Sequence, residues 1–304
     1  MDEGGATLKK GIFLAPTIFE YSDPANIVEL AKLTEEAGWD GFFICDHLLL
    51  DPEGMLALPD PSVLLGAIAV VTRRVLIGSM VTPFSRRRPW KLAKEFASLD
   101  QLSNGRLRIG VGLGGMDQEF SNFGEEPNKK VLAKKTDEGL AIMKELHTGE
   151  VVNFDGEMYQ VKDARLLPRP VQRPRVPVWV AAMLPAKPGQ RRAARWDGIM
   201  PHVMPANLDE TQDISSLDMR PLFSPSPEQI REVIEFTSAL RDTDDPFEVV
   251  VSGVSYGLDK DAVRSKLQSY QEAGTTWWLE WPECGKPGTL AQVREQIQAG
   301  PPGA

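Results

Sequence analysis

The chain has 304 residues, 42% of them hydrophobic and 25% charged, with a formal net charge of −9. This apolar content allows a large core, and α/β barrels of about 250 residues fold as one unit. The acidic balance counts against non-specific nucleic-acid binding, which needs basic surface to neutralise phosphates, and no run of about 18 apolar residues offers a membrane span.

In chain order, residues 11–15 (GIFLA) form an apolar run that predicts a buried strand. Ser22-Asp23-Pro24 supplies a helix N-cap with proline at the first helical position, and Gly38 a stop. Strands are predicted at residues 40–45, 75–80 and 106–112, with helices at Pro61–Val71 and Pro89–Leu102 between them. A polar loop then leads to a helix over residues 129–147. Residues 151–174 read as a hairpin with an Asp-Gly turn and a proline-rich return. Further strands are expected at residues 177–182, 197–201, 247–254 and 276–281, and helices at 191–196, 228–241, 260–273 and 290–298. Residues 203–227 show no period and read as a long loop or insertion, and the first eight residues and the tail from Gly300 read as disordered.

Eight apolar strands, each followed by a helix, with no linker between them, predict a (β/α)8 TIM barrel. One domain is expected over residues 1–304, with its core at about 11–300 and insertions after the fourth strand and helix and after the sixth strand. Such a barrel gathers its chemistry at the C-terminal ends of the strands. Cys45 and Cys284 are too few for a disulfide framework and read as buried thiols. The N-terminal segment lacks an apolar signal region, so a cytoplasmic protein is expected.

Asp46-His47 directly follows the second strand. Imidazole trades protons near neutral pH, and a neighbouring carboxylate tunes it, so these two are the candidate catalytic residues; loop capping is the bland alternative. His202 follows the sixth strand, and His147 ends a helix, where a polar or positive residue complements the dipole. With three histidines, two cysteines and no ligand-spaced cluster, no catalytic metal is expected. Gly110, Gly112, Gly114 and Gly115 loosely satisfy a dinucleotide-binding pattern, but it falls at the fourth strand and is followed by Asp117, Gln118 and Glu119, which would repel a pyrophosphate. Glycines there instead let backbone approach a flat ring. Arg86, Arg87 and Arg88 follow the third strand and either grip a phosphate or form a solvated run. In the eighth strand, either Trp277, Leu279 and Trp281 or Trp278 and Glu280 face inward.

The block RRRPWKLAKEFASLDQLSNGRLRIGVGLG, together with AGWDGFFICDH, IGSMVTP, Phe123-Gly124, LLPRPVQRPRVPVWVA and AARWDGIMP, resembles the bacterial luciferase-like monooxygenase superfamily of flavin- or F420-dependent oxidoreductases. The resemblance implies His47 as a proton donor or acceptor beside the cofactor ring, and a non-proline cis peptide at Ser79-Met80 supporting that ring. Gly112 and Leu113, the strand-five residues Ala181, Ala182 and Met183, and Arg88 would complete the cofactor site, although relatives usually carry glycine or serine where this chain has alanine. Phe84, Trp90 and Leu113 would keep water from the site. In the F420-dependent sugar-phosphate dehydrogenases an acid follows the glycine loop, where this chain has Gly115, which argues against that substrate. The expected function is a monooxygenase using reduced FMN and oxygen on a small organic substrate, with the FMN supplied by a separate flavin reductase. The alternatives are an F420-dependent dehydrogenase or reductase, and a flavin-binding barrel without turnover. Relatives of this kind are usually homodimers or larger, and that is expected here.

Overall fold

The computed structural model describes residues 7–15, 22–50, 56–203, 224–282 and 289–303. The strands are β1 (Lys9–Leu14), β2 (Gly41–Ile44), β3 (Leu76–Pro83), β4 (Leu107–Gly112), β5 (Val152–Asp155), β6 (Gln160–Ala164), β7 (Val178–Leu184), β8 (Gly198–Val203), β9 (Glu248–Gly253) and β10 (Trp277–Glu280). Eight of them close a barrel in the order β1-β10-β9-β8-β7-β4-β3-β2, with parallel pairing, while β5 and β6 form a separate antiparallel hairpin. This is the (β/α)8 barrel that the strand count predicts.

The helices are α1 (Pro24–Glu36), α2 (Pro61–Val71), α3 (Pro89–Leu102), α4 (Gln118–Ser121), α5 (Lys129–Leu146), α6 (Lys187–Ala193), α7 (Pro227–Ser238), α8 (Lys260–Glu272) and α9 (Thr289–Gln298). Their starts are written in side chains that accept otherwise orphaned amides. Asp60 accepts from Ser62 and Val63 before α2, and Asn128 from Lys130 and Val131 before α5. Ser226 and Gln229 form a capping box on α7. The short α4 lies inside the segment that reads in sequence as a polar loop; four residues are too few to show a period.

By density of internal contacts the chain divides into one unit of Met1–Leu14, Leu33–Phe43 and Trp179–Ala304, and another of Ala15–Lys32 and Ile44–Val178. In the first, the rings of Phe43, Trp179 and Trp277 meet with centroids 5.4, 5.8 and 5.5 Å apart. These residues come from β2, β7 and β10, none of which neighbours another in the barrel, so the cluster lies inside it. Trp277 therefore faces inward, while Trp278 packs on Tyr270 of α8, with ring centroids 5.1 Å apart. Glu248 at the start of β9 accepts both inner indole N–H groups, from Trp179 and Trp277, each at 2.8 Å. Leu8 is buried, and the Gly300 amide donates to Ile297, so ordered structure reaches beyond residues 11–300. Residues 204–223 and Cys284 lie outside the described residues, whereas Cys45 is buried.

In the second unit, Arg106 donates to carbonyl oxygens of Ala69, Thr72, Val75 and Ser103 and to the Thr72 hydroxyl, tying the end of α2 to the start of β3. His147 caps the C-terminus of α5, fully buried, with Nε2 3.0 Å from the Ala93 carbonyl. Burial pushes its imidazole down to about 4. It is thus a neutral polar group at neutral pH, the polar alternative of the expectation for a helix end.

Two stability predictions follow from these contacts. Glu248→Ala strands two buried indole donors and should cost about 2–6 kcal/mol in urea unfolding, at about 1–3 kcal/mol for each group left unpaired; a loss within error would show that neither bond matters. His147 has a folded value below the ordinary ~6.5 of the unfolded chain, so its contribution is present in full above pH ~6.5 and is lost as pH falls toward 4. Stability should drop by roughly 3 kcal/mol from this group across that window, and His147→Gln should flatten the drop. Equal slopes for the two proteins between pH 7 and pH 4.5 would refute the assignment.

Candidate functional site

At the C-terminal ends of β2, β3 and β4 the second unit gathers five charged or titratable side chains: Asp46, His47, Arg86, Arg87 and Glu119. Each stands there for a local reason. Asp46 and His47 leave β2 directly, Arg86 and Arg87 end the 3-10 turn Phe84–Arg86 that follows β3, and α4 returns Glu119 toward the loop after β2.

Asp46 is buried, with 1% of its surface exposed, and its Oδ1 accepts from Arg86 Nη2 at 2.7 Å and from Arg87 Nη2 at 2.9 Å. Arg86 turns its other terminal nitrogen to Glu119 Oε1, also at 2.7 Å. The same Oε1 accepts the backbone N–H groups of Leu48 and Leu49, and Oε2 lies 3.3 Å from His47 Nδ1. The Glu119 side chain is wholly buried, whereas His47 keeps 27% of its side chain exposed. Burial drives the Asp46 carboxyl above its usual range, with the charges of Arg87 and Arg86 opposing it. Burial works the same way on Glu119, but the hydrogen bond and charge of His47, the charge of Arg86 and the Leu48 amide outweigh it and hold that carboxyl below its usual range.

This geometry revises several expectations. The carboxylate partner of His47 is Glu119 rather than its neighbour Asp46, which is committed to two guanidiniums. Glu119 reads in sequence only as part of an acidic trio that would repel a phosphate. The available signal was charge pairing: acids after β4 and arginines after β3 stand at the ends of adjacent strands. Arg86 and Arg87 are neither solvated nor free to grip an anion. Arg88 is exposed, its guanidinium 6.0 Å from the Trp90 ring centroid. Trp90 in turn meets Tyr159, while Phe84 is buried against Phe96 and belongs to the core rather than to an open mouth.

The glycines of β4 also have a different cause from the one expected. A Cβ on Gly110 would sit 2.4 Å from the Ser79 carbonyl oxygen, and one on Gly112 would sit 2.6 Å from Val81 Cγ2. They let β4 approach β3 where the register shifts between Ser79 and Thr82. The non-proline cis peptide is Met80–Val81, one bond later than Ser79-Met80, and lies within that shift. Ser79 and Met80 are buried, and the Ser79 hydroxyl pairs with that of Thr82. Leu113 is half-buried and its carbonyl accepts from Ser85 Oγ at 2.7 Å. A Cβ on Gly115 would meet nothing within 4 Å.

In the first unit, Ala181, Ala182 and Met183 form the C-terminal part of β7, with Ala182 buried and Met183 41% exposed. Gly189 of α6 packs tightly there: its Cβ would lie 2.9 Å from the Ala182 Cα. His202 pairs in register with Met183, and burial pushes its imidazole down to about 4. Among the described residues, no group of three or more His, Cys, Asp or Glu side chains could hold a metal ion, and no helix is long and apolar enough to cross a membrane.

The chain is thus a closed parallel barrel with a carboxylate-held histidine at the C-terminal end of β2. The family model for luciferase-like monooxygenases matches residues 8–299, and the chain belongs to that family. Over 166 residues it is 39% identical to an F420-dependent glucose-6-phosphate dehydrogenase of Amycolatopsis mediterranei, covering 54% of this chain and 49% of that protein. The chain thus spans about half the length of the curated relatives it matches. An F420-dependent secondary alcohol dehydrogenase in complex with an F420–acetone adduct superposes with a TM-score of 0.74 at 17% identity, covering 98% of this chain and 99% of the other. The monooxygenase RslO1 from Streptomyces bottropensis superposes with a TM-score of 0.70 at 21% identity, covering 96% and 97%. At these identities the two superpositions show the fold.

Gly110→Ala should destabilise the protein by about 1–3 kcal/mol, the usual cost of overpacking, because backbone rather than a flexible side chain meets the new methyl. A melting temperature unchanged from wild type would show that β3 and β4 can separate without cost.

Proposed function

We propose that the chain is an F420-dependent oxidoreductase that moves a hydride to or from a small organic substrate, with His47 handling the accompanying proton. The observation that carries this reading is the 39% identity to an F420-dependent dehydrogenase. The FMN-dependent monooxygenase reading favoured from the sequence has behind it the family's description and a structural neighbour at 21% identity, and gives way to it.

The residues present fit a deazaflavin. A ring that exchanges hydride needs a titratable group at its edge, and His47 is partly exposed and held by a buried carboxylate. It also needs backbone without side chains to lie against, and the space around Gly115 is open. Bound F420 supplies a two-electron hydride carrier. Oxidation of an alcohol carbon also releases the hydroxyl proton, which the His47 imidazole accepts; in reduction the imidazolium returns it. Leu113 would border the ring. Arg88, the one member of the arginine run outside the buried ion pairs, would meet the anionic end of the cofactor. The assembly is a homodimer or larger.

Parallel titration of the purified protein with F420 and with FMN tests the reading. Saturable F420 binding is expected, with no oxygen uptake on adding reduced FMN. Oxygen consumption with reduced FMN, and no affinity for F420, would overturn it. His47→Ala should still bind F420 but turn over about 10²–10⁴-fold more slowly. A variant that binds less tightly yet turns over normally would remove His47 from the chemistry.

A further inference from the structure

His47 presents two ring nitrogens, and only one of them can meet a substrate. Nδ1 faces Glu119 Oε2 at 3.3 Å inside the protein, and the side chain retains its exposure on the rest of the ring. The proton on Nδ1 can be placed by counting donors and acceptors. Two backbone donors converge on Glu119 Oε1, the Leu48 and Leu49 amides, and the charge of Arg86 Nη1 lies 2.7 Å from the same oxygen. A carboxyl group crowded by two amides and a guanidinium is ionised, in keeping with the downward displacement of its titration. An ionised carboxylate only accepts, so the hydrogen between Oε2 and Nδ1 belongs to the imidazole.

We propose that Glu119 is the positioning residue of this site: it accepts the Nδ1 proton of His47 and leaves Nε2 as the nitrogen that exchanges a proton with the substrate. The proposal rests on His47 being the proton-handling group of the F420-dependent reaction. In the oxidative direction the substrate O–H bond breaks and its proton joins the Nε2 lone pair, while the C–H electron pair leaves as hydride to the deazaflavin. Glu119 keeps its charge throughout and stabilises the imidazolium that forms. Through Leu48 and Leu49 the same carboxylate fixes the backbone that carries the histidine, so the orientation of the ring and its tautomer are set by one group.

Glu119→Gln makes a sharp test because it is isosteric. The two amides and the guanidinium charge on the Oε1 side favour an oxygen there, so they draw the amide oxygen to that position and turn the amide NH2 toward Nδ1. Nδ1 must then accept, and the neutral ring changes to the Nε2–H form, which has no free lone pair for the substrate. The measurement is 15N NMR of histidine-labelled full-length protein without cofactor, above the pH at which imidazoles are protonated. The chain has three histidines, and the spectrum of His47→Ala assigns the relevant one.

Wild type should show His47 as the Nδ1–H tautomer, Glu119→Gln as the Nε2–H tautomer, and turnover with F420 should fall roughly a hundredfold in the variant while F420 affinity changes little. An Nε2–H ring or an even mixture in the wild type overturns the proposal. So does a Glu119→Gln protein that loses turnover while His47 stays Nδ1–H, since the carboxylate would then be only structural. If Glu119→Gln does not fold, the wild-type spectrum decides by itself. Failure of the underlying reading looks different: His47→Ala would keep its turnover whichever tautomer the wild type shows.

Discussion

Arg86 presents one terminal nitrogen to Asp46 and the other to Glu119, two carboxylates with almost no exposed surface. An unpaired carboxylate in such surroundings is costly, and breaking a buried pair typically costs about 3–5 kcal/mol because it leaves an uncompensated charge. Arg87 supplies the second positive charge through Asp46, so two carboxylates face two guanidiniums. That balance lets the loops after β2, β3 and β4 converge, and it fixes what each can offer. The acid beside His47 in sequence is used up on arginines, and the acid that reaches the histidine comes from a helix 72 positions further along the chain.

The two ends of the barrel strands use carboxylates for different purposes. At the N-terminal end, Glu248 accepts two indole N–H groups, so large aromatic rings can fill the interior without stranding their donors. Lys9 approaches it at 3.4 Å. At the C-terminal end of β2, Glu119 instead holds a ring that stays partly exposed. This division, with packing at one end and polar groups that can reach a ligand at the other, is the usual one in barrels of this class.

The eight strands were legible because parallel strands buried on both faces read as short apolar runs, and because caps such as Asp60, Asn128 and Ser226 announce the helices. His47 was legible by position, as the histidine leaving the second strand. Its partner was not. A four-residue helix has no period, and nothing local distinguishes Glu119 from Asp117 two residues earlier, which is exposed. The glycines after β4's start drew attention as room for a ligand, whereas Gly110 and Gly112 answer to backbone and side chain of β3. Close approach between strands and close approach to a ring ask for the same residue, so sequence alone could not separate them. The arginine run was ambiguous for a similar reason: burial, which distinguishes Arg86 and Arg87 from Arg88, is set by partners far along the chain.

A barrel that superposes on both an F420-dependent dehydrogenase and a monooxygenase does not choose between cofactors by its backbone. The choice falls to the side chains that remain available at the strand ends once internal pairings are subtracted. At β2 to β4 that subtraction removes Asp46, Arg86, Arg87 and Glu119 to their ion pairs, Ser79 to Thr82, and Phe84 to the core. Among the described residues there, the partly exposed imidazole of His47, the exposed Arg88 with its Trp90 neighbour, Leu113 and the open space at Gly115 remain. Under the function proposed above, hydride transfer to or from a carbon bearing oxygen asks for one proton to be taken or given, and the His47 imidazole, held at Nδ1 by Glu119, would be the group that handles it.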